Sequence, residues 1–308
     1  MISIQQDIRR RWLSVEGPTW LLIVAVYTGW FLLTWYYHQL PLWTILPAGA
    51  YIVALHGSLQ HEILHGHPTR KAWLNDLLVR PALWLWLPYG IYRDSHLAHH
   101  RAEWLTCPVD DPESTYILPQ RWQSMGRVAR WLHSARKTLL GRMVLGPAVA
   151  VAMVLRHQLP RLLHGERRAW RQWAAHALAV APLLFWVLAV CEIPLWAYIA
   201  FFAYPGLSLA LVRSFAEHRP ARDKAQATAI VETSWPLALL YLNNNLHAVH
   251  HERPGLPWFA LPAAYRAERA AVLGRNGNFV YRGYRELFRR HLVHRLDGPV
   301  HPFSGQGA

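Results

Sequence analysis

Thr19 to Leu40 reads TWLLIVAVYTGWFLLTWYYHQL, 22 residues without a Lys, Arg, Asp or Glu. As a helix rising about 1.5 Å per residue it reaches about 33 Å, enough to cross a hydrocarbon layer about 30 Å thick. Arg9, Arg10 and Arg11 precede it and hold its start in the cytoplasm. The run is too long for a removable signal and no small-residue cleavage site follows, so it reads as a retained anchor. After an uncharged turn the chain returns across the membrane over 42–60. A second pair goes out over 172–191, turns at Glu192-Ile193-Pro194, and comes back over 195–212 to Arg213. Pro182 and Pro205-Gly206 are expected to kink this pair. Two further apolar runs, 81–91 and 143–155, are too short to span. Their flanking arginines suit interfacial helices or re-entrant turns.

The charge distribution supports this topology. The 308 residues carry 32 Lys+Arg against 18 Asp+Glu, a formal charge of +14. A basic soluble protein that binds nucleic acid would have such a balance, but no Lys or Arg lies between Arg11 and Arg70, or between Arg171 and Arg213. Positive charge confined to connecting segments is the mark of cytoplasmic loops, so nucleic acid is not an expected partner. The mean hydropathy of +0.05 averages two solvents. Hydrophobic residues at 53% and 17 Trp exclude disorder, and two cysteines, Cys107 and Cys191, exclude both a disulfide scaffold and an iron–sulfur centre. The expected fold is all-α: one integral membrane domain over 1–308, with four transmembrane helices in two hairpins, interfacial helices and a cytoplasmic histidine-rich cap. The expected location is a bacterial inner membrane, with the site facing the cytoplasm.

Among the 19 histidines, spacing is informative. His61 and His65 form HxxxH; His96, His99 and His100 form HxxHH; His247, His250 and His251 form a second HxxHH. One HxxHH is expected by chance about 0.07 times in a chain of this composition, and two about 0.003 times. On a helix, i, i+3 and i+4 share a face, so each group should aim its imidazoles at a common spot. All three groups follow or flank hydrophobic segments on the cytoplasmic side, where the fourth span also delivers His218. Imidazole suits iron, zinc, copper and nickel. Nine such ligands exceed what one ion can use and fit two ions with four or five nitrogens each. His38, His56, His67, His133, His157, His164, His176, His291, His294 and His301 read as loop, interface or packing residues, His67 being closest to a box.

The sequence resembles the membrane fatty acid desaturase family, whose histidine boxes stand here as His61-Glu62-Ile63-Leu64-His65-Gly66, His96-Leu97-Ala98-His99-His100 and His247-Ala248-Val249-His250-His251. The isolated Glu217-His218 and Pro254 through Trp258 extend the resemblance over roughly 40 to 265. It implies an O2-activating centre of two iron ions and an oxidoreductase acting on a lipid acyl or other hydrocarbon chain. Desaturation is the favoured reaction, with hydroxylation or ketolation on the same scaffold as the alternative. Asn243 stands four residues before His247, and similar enzymes use such an Asn to hold a metal-bound water; it also reads as a helix cap within Asn243-Asn244-Asn245.

An unactivated methylene C–H needs an oxidant that no side chain supplies, so the cofactor carries the hard step. Carboxylates that accept the outer ring N–H normally fix such ligands, and Asp94, Asp110, Asp111, Glu113, Glu217 and Glu252 lie near enough in sequence. The chain carries no recognisable flavin, nicotinamide or haem fingerprint, so two electrons are expected from a separate ferredoxin-like donor with its reductase, docking on the basic cytoplasmic face. Trp84, Trp86 and Trp258 could line an apolar groove for the substrate, with membrane lipids around the spans. A distant rival is that His61-Glu62-Ile63-Leu64-His65 is the HExxH of an intramembrane zinc protease. A metal transporter fits less well, since its sites sit near the membrane midplane.

Overall fold

The computed structural model describes residues 12–303. Five helices in it are long and apolar enough to cross a membrane: α1 (Gly17–Trp35), α2 (Leu42–Leu64), then beyond two shorter helices α3 (Ala72–Val79) and α4 (Tyr89–Arg101) and the amphipathic α5 (Arg127–Ala135), the long α6 (Leu139–Leu163), α7 (Arg167–Val190) and α8 (Leu195–Ala216). The chain closes with α9 (His247–Glu252), α10 (Leu261–Arg275) and α11 (Tyr284–His291). Leu21, Val24, Phe31 and Leu32 on α1, and Leu178, Phe185 and Leu188 on α7, are exposed. Such a belt would be a liability in water and is at home in lipid.

The central pair is α2 against α8, which approach closely because glycines face the partner helix. A Cβ on Gly49 would meet the Phe201 carbonyl oxygen at 2.8 Å, and one on Gly206 would meet Val53 Cγ1 at 2.5 Å. α1 closes one side: its Trp30 indole donates to the Tyr198 hydroxyl (3.0 Å), which donates to the Leu83 carbonyl (2.7 Å). Pro182 and Pro205 flank π-helical turns at Trp186–Val190 and Ile199–Ala203, which lie on either side of the tight turn between the two helices.

The expectation that the run 143–155 is too short to span needs correction. The helix around it, α6, is 25 residues long, because its hydrogen-bonding ladder continues past Arg142, Arg156 and Arg161 where a hydropathy reading stops at the charges. At its start, Leu140 bonds the Leu292 carbonyl and Arg142 reaches Ser214 at the end of α8. At its other end, a turn at 164–166 leads into α7, whose Arg168 and Gln172 bond Asp94 of α4. Both ends of α6 are thus tied to the side of the molecule that carries the histidine boxes. A two-residue parallel pairing of β1 (Ile230–Val231) with β2 (Val280–Tyr281) departs slightly from an all-α fold; it stitches the segment before α9 to the one after α10.

Candidate metal centre

Each histidine group is delivered by the end of a helix. α2 and α8 run on past their apolar stretches and carry His61, His65 and, two residues beyond α8, His218 to one side. α4 and α9 lie across these ends with the HxxHH boxes. The nine imidazoles fall into two groups, within each of which the ligand atoms lie within 4.8 Å of one another: His61, His65, His96, His100 and His250 in one, His99, His218, His247 and His251 in the other. The groups are neighbours, the His100 and His251 rings stacking at 4.2 Å.

The expectation that each HxxHH points at one spot is corrected by this partition. In both boxes the i and i+4 histidines go to one group and the i+3 histidine to the other. At about 100° per residue, i and i+4 are about 40° apart around the helix while i+3 and i+4 are about 100° apart. A helix standing between two centres therefore serves both. α4 gives His96 and His100 to the five-membered group and His99 to the other; α9 gives His250 to the five-membered group and His247 and His251 to the other.

The donor set fits cations better than it fits hydrogen bonds. His218 Nε2 lies 3.1 Å from His99 Nε2 and 3.0 Å from His247 Nε2. His100 Nε2 likewise faces His96 (3.1 Å) and His250 (3.2 Å). A ring nitrogen has one proton or one lone pair and cannot serve two partners. Buried His65 Nε2 has none. A metal–nitrogen distance of about 2.1 Å gives polyhedron edges of about 3.0 to 3.4 Å, the spacing seen here. The outer nitrogens are held from behind: His99 Nδ1 by Asp111 (2.8 Å), His96 Nδ1 by Glu113 (3.1 Å), and His247 Nδ1 by the Asn244 amide oxygen (3.1 Å) with Glu217 at 3.4 Å. These bonds turn the Nε2 lone pairs inward.

Electrostatics favours neutral ligands. Burial first, then the neighbouring imidazoles, pushes His100, His250 and His251 far below the ordinary histidine range, so each keeps one ring-nitrogen lone pair for a cation at neutral pH. His99 differs: burial pulls it down, but its hydrogen bond to Asp111 and the charges of Glu113, Asp111 and Glu217 outweigh this and leave it raised.

Of the six acids near the boxes, Asp111, Glu113 and Glu217 face the histidines. Asp94 instead binds Arg168 and Gln172, Asp110 accepts from the Trp104 amide, and Glu252 pairs with Arg275. Asn243 does not share a helical face with His247, because α9 starts only at His247 and Asn243 sits in the left-handed region (φ 57°) with its side chain on the Trp258 carbonyl (3.0 Å). Its neighbour Asn244, which the sequence reading passed over, lies between His247 Nδ1 and His61 Nε2 (3.3 Å). The signal was present in the Asn run at i−3 from His247. His67 stands apart, bonded to Glu16 (2.6 Å) and facing Glu62. Glu62 accepts from the Trp258 amide (2.9 Å) and lies outside both histidine groups, so it is not aimed as the base of an HExxH protease would be.

The fold and site define a membrane chain whose helix ends converge on nine imidazoles that could hold metal ions. The chain is a member of the fatty acid desaturase family, whose profile matches residues 39–283. It is also similar to a beta-carotene ketolase from a Paracoccus species, 24% identical over 235 residues that cover 71% of this chain and 75% of that protein.

Proposed function

We propose that the protein is an O2-dependent di-iron enzyme that oxidises a C–H bond of a lipid hydrocarbon chain, with desaturation of an acyl chain as the first reading. The observation that carries it is the partition of nine histidines into adjacent groups of five and four. Two bound irons would supply the activated oxygen that an unactivated methylene requires. His61, His65, His96, His100 and His250 would hold one iron, and His99, His218, His247 and His251 the other. Asp111, Glu113, Glu217 and Asn244 orient the rings. Trp84 meets Tyr92, which meets His96 (ring centroids 6.4 and 5.8 Å), so aromatic side chains pack against this side of the histidine cluster.

Four spans in two hairpins, with α6 lying along the membrane surface, agree with the attachment of both its ends to the histidine side. This reading puts the site in the cytoplasm of a bacterial inner membrane, facing a separate ferredoxin-like electron donor. A second reading, ketolation or hydroxylation, rests on the ketolase relative. Desaturation removes a second hydrogen where the others insert oxygen, and a sub-ångström difference in placement decides between them.

The test is lipid analysis of cells expressing the wild type beside His251→Ala, with metal analysis of both. Desaturation gives a product two hydrogens lighter, hydroxylation one oxygen heavier, and ketolation replaces two hydrogens by a doubly bonded oxygen. About two irons per wild-type chain are expected from the ligand count. One zinc and no iron, with identical lipid profiles, would overturn the proposal.

A further inference from the structure

A cavity of about 240 Å³ opens between the end of α3, the start of α4 and the start of α7, lined among others by Asp76, Arg80, Tyr89, Arg93, Arg168 and Arg171. Its charges do not balance. Arg93 pairs with Asp76 and with Asp94 (3.5 Å), and Asp94 is further taken by Arg168 (2.7 Å) and Gln172 (2.8 Å). Both acids are thus committed, while Arg80 and Arg171 have no acidic partner among the described residues. Four guanidinium groups against two carboxylates leave a local excess of two positive charges.

The backbone adds to this excess. The first turns of two helices, α4 and α7, meet here. The Ile91 and Tyr92 amides bond the Pro88 carbonyl, which leaves those of Tyr89 and Gly90 without a backbone acceptor among the described residues. α7 opens with Arg167, Arg168 and Arg171, and the acid at its N-cap, Glu166, is paired with Arg161. Positive side chains at a positive helix end repel its dipole, an arrangement that costs stability unless an anion joins it. The Tyr89 side chain, 3% exposed, lines the same cavity next to Asp76. Beside the cavity Trp73, Leu77 and Trp170 are exposed at 66%, 57% and 56%. Trp with Arg at one level is the composition of a membrane–water interface.

We propose that this cavity binds a phosphate group, carried by an anionic membrane lipid whose headgroup enters between α4 and α7. Guanidinium groups match phosphate oxygens bidentately, the Tyr89 and Gly90 amides are additional donors, and the exposed tryptophans mark the level at which lipid phosphates lie. The site does not depend on the metal or on the reaction proposed above. It lies at the start of the helix whose later turns carry His96, His99 and His100, so an occupant would fix the position of α4.

The test is thermal unfolding of the purified full-length protein in neutral detergent, alone, with phosphatidylglycerol, with phosphatidylcholine, and with inorganic phosphate at matched ionic strength. Phosphatidylglycerol should raise the wild-type midpoint by about 5 °C at saturation, and phosphatidylcholine by much less. Arg80→Gln/Arg171→Gln, which breaks no ion pair among the described residues, should abolish that rise. If the double variant does not fold, the exposed Arg171→Gln alone should weaken the apparent affinity about tenfold. A rise with inorganic phosphate alone that the variant loses supports the cavity as a phosphate site fed from the aqueous side. Equal responses in wild type and variant, or none in either, overturn the proposal.

Discussion

Asp111→Asn tests the site with the smallest change of shape. The Asp111 carboxylate is buried, 4% exposed, and accepts three hydrogen bonds: from His99 Nδ1 (2.8 Å), the Thr106 amide (2.9 Å) and the Glu113 amide (2.9 Å). The two Oδ1 bonds go to His99 and Glu113, and the Oδ2 bond to Thr106. An asparagine keeps the first two if its amide oxygen takes the Oδ1 position, and its NH2 then confronts the Thr106 N–H. One buried donor pair left unsatisfied costs about 1–3 kcal/mol. The bond to His99 survives but loses its charge assistance, worth about half its strength, and His99 loses the group that raises its proton affinity. Loss of such a supporting partner lowers metal affinity about 10- to 100-fold, or about 1.4 to 2.7 kcal/mol. The assay is metal retained per chain against a graded chelator, read beside the unfolding midpoint. Asp111→Asn should release one of two ions at lower chelator, while Glu252→Gln, which loses only an exposed pairing with Arg275, should match the wild type. If Asp111→Asn retained metal as the wild type does, the role given to Asp111 would be wrong.

Three further outcomes are expected. Lys137 is buried, which pulls its ammonium down to about 8 although Asp297 pushes the other way; its unfolded value is higher, so the cost is complete below about pH 8 and relieved as pH rises toward 10.5. Stability of the wild type relative to Lys137→Met should therefore rise across that window, and a flat difference in chemical denaturation would contradict it. Gly206→Val should overpack the α2–α8 seam, where a Cβ already meets Val53 Cβ at 2.6 Å, and lower stability by about 1–3 kcal/mol, measured by unfolding in detergent. Cys191 is buried and unsuited to labelling, so the topology is checked with Gln39→Cys: it should react with an impermeant thiol reagent outside intact cells, whereas Cys107 should react only after the membrane is opened. Labelling of Cys107 from outside would invert the proposed orientation.

The sequence by itself determined what depends on near neighbours. A run such as Thr19 to Leu40 can only satisfy its backbone in lipid as a helix, so the long apolar helices were legible, as was the delivery of nine histidines to one side. Helix length beyond the apolar stretch was not, because backbone hydrogen bonding continues through Arg142 and Arg161 although hydropathy falls there. Tertiary structure alone decided how the histidines divide, since whether His99 joins His96 or His218 depends on where α4 lies relative to α8. It likewise chose Asn244 over Asn243, through a helix that begins one turn later than the spacing suggested. It chose Asp111, Glu113 and Glu217 over Asp94, Asp110 and Glu252, because proximity in sequence brings an acid near a histidine, but only packing decides whether that acid meets an imidazole, a backbone amide or an arginine.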